Sequence, residues 1–241
     1  MRSRPILLIH GSMHGSWCWR PTIAALEARG RWATAIDMPG SGDDMTPLGE
    51  VGMASYVDRI RATVTEIGEP VTLVAHSMGG LSSTVAASET PEQVAALIYV
   101  AALVPNDGET ALSILGALPP GGLSSRLKPT RDGLAFHLER SDSIDHFYKD
   151  CDEVIAADAA SRLSPQPSGP MTDTVRVAPS IGLVSSGYVL TRDDRTLPVA
   201  QQRQFSVRRS METIEIDGGH SPFLSDPGGF ADVLLALEMR L

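Results

Sequence analysis

Val71-Thr72-Leu73-Val74-Ala75-His76-Ser77-Met78-Gly79-Gly80 is the stretch on which the fold is decided. Its first five residues are an uncharged, mostly apolar run, the pattern of a strand buried on both faces of a parallel sheet. The small-residue segment 81–89 that follows the glycines reads as a helix. A serine on the turn between such a strand and helix matches the nucleophile elbow G-x-S-x-G, with Ala75 in place of the first glycine. The flanking residues must be small because bulk on this turn would meet neighbouring backbone; Ala75 satisfies that less generously than Gly79. The alternative for Ser77 is a helix N-cap or a turn serine.

Outward from this stretch the same rhythm recurs. Towards the N-terminus, 6–9 and 33–36 are short apolar strands, and 21–29 and 53–67 carry helical periodicity. Towards the C-terminus, 94–100 is an almost wholly apolar strand. Short strands alternating with helices define a parallel α/β sheet with right-handed crossovers. The rhythm breaks after Pro105, where some seventy residues rich in proline and glycine offer helical candidates at 133–140 and 144–158. So long a segment exceeds an ordinary loop; it reads as a cap, mainly helical, inserted at 106–179 into a core formed by 1–105 and 180–241. The rhythm resumes with strands at 187–190 and 211–216 and helices at 198–205 and 228–240.

Composition narrows the function classes. Among 241 residues, 20 are Lys or Arg and 29 are Asp or Glu, a net charge of −9. The basic residues are scattered, and nothing resembles a stripe that could neutralise nucleic-acid phosphates. Cys18 and Cys151 form no metal-binding or redox spacing, which favours a reducing compartment. The N-terminal apolar run is too short for a signal sequence, and no run of 18 apolar residues occurs anywhere. The expectation is a cytoplasmic protein without membrane or nucleic-acid partners, a monomer or homodimer acting on a small molecule.

A serine nucleophile needs a base. Of the six histidines, His220 lies in Asp217-Gly218-Gly219-His220-Ser221-Pro222, between the last strand and the last helix, on the sheet edge that carries Ser77. His76 is expected to turn away from the nucleophile and pack, and His137 and His146 belong to the cap. The acid that orients the imidazole is expected in Thr191-Arg192-Asp193-Asp194-Arg195, and spacing alone leaves Asp193 and Asp194 both open. Either gives the order Ser, Asp, His of one of the convergent serine triads. Two backbone N–H groups are candidates for an oxyanion hole, that of Met78 and that of Ser12 in the loop after the first strand. A P-loop lysine, a G-x-G-x-x-G fingerprint and an H-E-x-x-H zinc motif are all missing, so no cofactor and no metal are expected.

The blocks LLIHGSMHGSWCWRPTIAALEARG, AIDMPGSGDD, VAHSMGG, LIYVAALVPNDGET and IDGGHSPFLSDP together resemble the α/β-hydrolase superfamily. They are most similar to the branch of esterases and hydroxynitrile lyases that includes plant methylesterases of the salicylate-binding type and bacterial carboxylesterases such as pyrethroid hydrolase. The resemblance implies an α/β-hydrolase fold with a sheet of about six strands, catalysis without a cofactor, and a triad of Ser77, Asp194 and His220. Asp194 is preferred because the branch tends to place its acid four residues before a proline, here Pro198. The same resemblance puts the oxyanion amides on Ser12 and Met78 and gives His14 and Trp17 a packing role. Lyases of the branch carry a lysine directly after the histidine; this chain has Ser221. The expected activity is hydrolysis of a neutral, hydrophobic carboxylic ester, with Leu112, Leu115, Leu118, Leu123, Leu127, Leu134 and Phe136 supplying the cap's apolar material. Amide or carbamate hydrolysis is the nearer alternative. Hydroxynitrile lysis, cofactor-independent dioxygenation and simple ligand binding are more distant ones.

Overall fold

The computed structural model describes residues 4–118 and 122–241. Strand β1 (Ile6–Ile9) lies between β2 (Ala33–Ile36) and β3 (Val71–His76); β3 then pairs with β4 (Val94–Val100), β4 with β5 (Ser185–Thr191), and β5 with β6 (Glu212–Ile216). All five pairings are parallel, and the order is β2-β1-β3-β4-β5-β6. The expected sheet of six strands is the one observed.

Parallel strands need crossovers, and the helices that make them cover both faces. The side-chain alternation of a strand divides the core accordingly. Leu7, Ile9, Leu73 and Leu97 pack with helices α2 (Met53–Ile67) and α3 (Gly79–Glu89) through Val57, Ile60, Val64, Leu81 and Val85. Leu8, Val74, Ile98 and Val189 face the other way, onto Leu26 of α1 (Arg20–Glu27) and Phe230, Leu234 and Leu237 of the last helix (Pro227–Glu238). Gly187 of β5 is required by that second layer, since a Cβ there would lie 2.9 Å from Leu237 Cγ. Every strand points its carboxyl end to the same edge, where α/β sheets place their ligands. Ser12, Ser77, Asp194 and His220 all follow such strand ends.

The chain between β4 and β5 forms the inserted subdomain, with helices at Ala111–Gly116, Arg140–Phe147, Glu153–Ser161 and Gly169–Thr172. Two expectations for it are corrected. Residues 133–140 were expected to be helical, but Ala135–His137 is a strand, the middle member of a small antiparallel sheet with Lys128–Pro129 and Gln166–Pro167. The cause is a turn at 130–133: Gly133, at φ 73°, donates to the Thr130 carbonyl, and the reversed chain lets Thr130 N–H bond Ala135 O at 2.8 Å. The expected helix at 144–158 is two helices, because Asp152 accepts from Val154 N–H at 2.9 Å and caps a fresh start. Between them, Tyr148 and Asp150 reach the catalytic edge through His14 and Gly219.

Candidate active site

Ser77 has φ 51°, a conformation costly for any residue with a Cβ, about 1–3 kcal/mol. The end of β4 and the chain beyond it hold it there: Ser77 N–H donates to Val100 O at 3.1 Å, and Leu103 N–H donates to Ser77 O at 3.0 Å. Two glycines let other backbone come close. A Cβ on Gly79 would lie 2.6 Å from His10 O, and one on Gly11 would lie 2.7 Å from the Ser77 Cβ. The small residues of the elbow are thus demanded by β1 and its loop as much as by the turn itself.

The Ser77 hydroxyl lies 3.1 Å from His220 Nε2, and His220 Nδ1 lies 2.7 Å from Asp194 Oδ2. The two adjacent aspartates separate cleanly. Asp193 is exposed, whereas the Asp194 side chain is fully buried against the imidazole. Asp194 Oδ1 accepts from the N–H of Thr196 at 2.7 Å and of Leu197 at 2.9 Å, while Oδ2 also receives Thr191 Oγ1 and Gln202 Nε2, both at 3.2 Å. These donors fix the carboxylate in one orientation. Together the three side chains have the geometry of a Ser-His-Asp triad.

The amides of Ser12 and Met78 both border the cavity above Ser77, and among the described residues neither N–H has a hydrogen-bond partner. Free donors at the mouth of a helix and in an apposed loop are what a developing oxyanion requires. The cavity is narrow, about 20 Å³, and its walls include Leu103, Leu115, Leu123, Leu127, Met171 and Leu197 with no charged side chain. Of the leucines expected to serve the pocket, Leu115, Leu123 and Leu127 do so. Leu118 and Phe136 pack against the core from partly buried positions, and Leu112 and Leu134 face solvent. A roomier cleft of about 520 Å³ beside α2 and α3 is lined by Asp58, Arg61, Glu89 and Arg176 and by no serine, cysteine or histidine.

Three further histidines are buried at this edge, and His14 and His10 are bonded as neutral rings. A carbonyl can only accept, so the contact of His14 Nδ1 with Ser12 O (2.7 Å) makes Nδ1 the donor and leaves Nε2 to accept from Tyr148 Oη at 2.7 Å. By the same logic His10 Nδ1 donates to Gly11 O and its Nε2 accepts the Met38 N–H. His76 Nε2 donates to His220 O at 3.0 Å. His76 was expected only to pack; it also tethers the His220 backbone. Burial lowers the pKa of all three, that of His14 to about 3.

Several supporting residues left no motif in the sequence. Gln202 accepts from Thr191 N–H at 2.9 Å and donates to Leu197 O at 2.6 Å, bracing the loop of Asp194. Asp150 of the cap accepts the Gly219 N–H at 2.7 Å, and Phe147 lays its ring over His220 at 5.5 Å. Thr196 donates to His146 O at 3.0 Å. One short cap segment thereby touches the loops of both the acid and the base.

A six-stranded parallel sheet, a strained serine after its third strand and a Ser-His-Asp relay at its carboxyl edge define a serine hydrolase. The chain belongs to the Alpha/beta hydrolase family, whose sequence model matches residues 6–233. Fold, family and site together make it a serine hydrolase of that family. It is similar to Methylesterase 7 of Arabidopsis thaliana, 29% identical over 97% of this chain and 96% of the relative. It also resembles Esterase PIR7B of Oryza sativa subsp. japonica, 42% identical over 43% of this chain and 40% of the relative. Among solved structures, the Pyrethroid Hydrolase from Sphingobium faniae JZ-2 superposes with a TM-score of 0.85 at 24% identity, covering 97% of this chain and 96% of the other. No helix among the described residues is long and apolar enough to cross a membrane.

Proposed function

We propose that the protein hydrolyses neutral, hydrophobic carboxylic esters through an acyl-enzyme on Ser77. The observation that carries this reading is the unbroken Ser77–His220–Asp194 hydrogen-bond chain beneath an uncharged, largely apolar cavity. Ser77 Oγ attacks the ester carbonyl and passes its proton to His220 Nε2. The Ser12 and Met78 N–H groups receive the oxyanion, and Asp194 stabilises the imidazolium and holds its tautomer. Collapse breaks the bond to the alkoxy oxygen, which leaves as the alcohol with the proton from His220. Water, deprotonated by the same imidazole, then attacks the acyl carbonyl and frees Ser77 and the acid.

Apolar cavity walls with few polar guides favour a neutral substrate, and relatedness to Methylesterase 7 and Esterase PIR7B supports an ester. Ser221 supports hydrolysis over cyanohydrin cleavage, because a neutral hydroxyl supplies no positive charge to a departing cyanide. Residues 106–179 act as the cap of a core made by 1–105 and 180–241. The two unpaired cysteines, Cys18 and Cys151, support a cytoplasmic location.

An organophosphonate should add one adduct, and mass spectrometry should map it to Ser77; an adduct elsewhere removes the nucleophile assignment. On a matched panel, neutral aryl and alkyl esters should be turned over well ahead of charged ones. An aromatic cyanohydrin should release cyanide no faster than its uncatalysed decay. Preference for charged esters, or Ser77-dependent cyanide release outpacing ester turnover, would overturn the substrate class.

A further inference from the structure

The loop that presents the Ser12 amide is held in an unfavourable shape. His14 N–H closes it onto Gly11 O at 3.4 Å, and Met13 at its third position has φ 65°. A turn with a left-handed third residue normally carries glycine there, because an L side chain resists that conformation. Rotation of the Ser12–Met13 peptide would relieve Met13 and reshape the backbone on which the Ser12 N–H sits. Both ends of that peptide are tied down. Its carbonyl accepts from His14 Nδ1 at 2.7 Å, and its N–H donates to Gln166 Oε1 at 3.2 Å. The Met13 carbonyl in turn accepts from Ser164 N–H at 2.9 Å.

Gln166 and Ser164 belong to the inserted cap, and Gln166 is 1% exposed. Its Nε2 is anchored in turn, donating to Tyr56 Oη at 3.1 Å and Pro167 O at 3.2 Å. Its orientation is set from outside the loop.

We propose that Gln166 is a positioning residue for the oxyanion loop: its carboxamide locks the Ser12–Met13 peptide in the left-handed turn, so the oxyanion hole is complete only when the cap is seated. This rests on the assignment of the Ser12 N–H as an oxyanion donor. Gln166 touches no reacting atom and acts through Met13. Its loss should therefore weaken the stabilisation of tetrahedral species far more than the binding of planar ester.

Three variants test this in the full-length protein, with an aryl ester as substrate and an aryl trifluoromethyl ketone as tetrahedral mimic. Gln166→Leu keeps the volume and removes the acceptor; it should lower kcat about 30- to 100-fold, somewhat less than the roughly 10²–10³-fold of a donor lost outright, with KM changed less than about threefold. The ketone's affinity should fall by a factor similar to that in kcat. Gln166→Glu keeps an acceptor for Met13 and should recover most of both losses. In a Met13→Gly background, where the left-handed turn is intrinsically allowed, the same Gln166→Leu change should cost less than about fivefold. If Gln166→Leu does not fold, Tyr56→Phe loosens the same carboxamide at one remove and should still lower kcat severalfold with KM unchanged. Wild-type kcat and ketone affinity in Gln166→Leu, or undiminished loss in the glycine background, overturns the proposal. Failure of the oxyanion assignment itself looks different: the wild-type protein would then bind the ketone no more tightly than the corresponding methyl ketone.

Discussion

Asp194→Asn should lower kcat by about 10⁴-fold while the protein stays folded, and Asp193→Asn should change it by less than about threefold. The expectation follows from the two faces of the Asp194 carboxylate. One oxygen accepts two backbone N–H groups, from Thr196 and Leu197, and the other accepts His220 Nδ1. Asparagine has one acceptor oxygen and must choose between them. If the oxygen stays with the two amides, its NH₂ faces His220 and selects the tautomer with the proton on Nε2, which cannot take a proton from Ser77. If the amide flips, its NH₂ confronts two N–H donors and the loop must yield. Asp193 is exposed and enters the loop only through its backbone, its N–H donating to Gly218 O at 3.0 Å. Steady-state kinetics on one aryl ester, with circular dichroism to verify folding, decides the matter. Equal and severe losses at both positions would remove Asp194 from the triad.

The second large effect is on stability. His10, His14 and His76 have folded-state pKa values below the ordinary 6.5, each chiefly through desolvation, and two of them use a ring nitrogen as an acceptor. As pH falls through 6.5, these rings take up protons in the unfolded chain before they do so in the folded one. The unfolded state therefore binds more protons, so stability declines as pH falls and is fully present only above about pH 7. His14, held to about 3, contributes a slope approaching about 1.4 kcal/mol per pH unit below 6.5, and His10 and His76 add to it in the same direction. Urea unfolding should show at least about 1.4 kcal/mol less stability at pH 5.5 than at pH 7.5, with a correspondingly lower midpoint. Equal midpoints at the two pH values would mean that the three rings are already charged in the folded protein, or already neutral in the unfolded one.

The parts legible in the sequence are those with a local signal. The strand 71–75 followed by Ser77, and His220 in its glycine-rich turn, can be found because chemistry and backbone geometry restrict neighbouring residues. Asp193 and Asp194 could not be told apart by spacing alone, since one loop carries both; the family resemblance favours Asp194 through Pro198, and burial separates the two in the structure. The cap was legible as an interruption but not in its details: strands of two or three residues at Lys128–Pro129 and Gln166–Pro167 have no periodicity to read. Gln202, Gln166, Tyr148 and Asp150 carry no signature, because a side chain that steadies another needs only the right distance, and distance is created by the fold.

The Ser77–His220 contact spans 143 positions along the chain, whereas Asp194 and His220 are 26 apart. The serine elbow and its four-strand surroundings can assemble early, but the base arrives only when β6 has docked at the edge of the sheet. Parallel pairing over such separations is slow, since the long loop must close before any contact stabilises it. Partly folded chains will therefore hold a formed, exposed nucleophile with no base beside it. The return of ester turnover after dilution from denaturant times the docking of β6, the last strand in the chain, and should lag behind the recovery of helical circular dichroism.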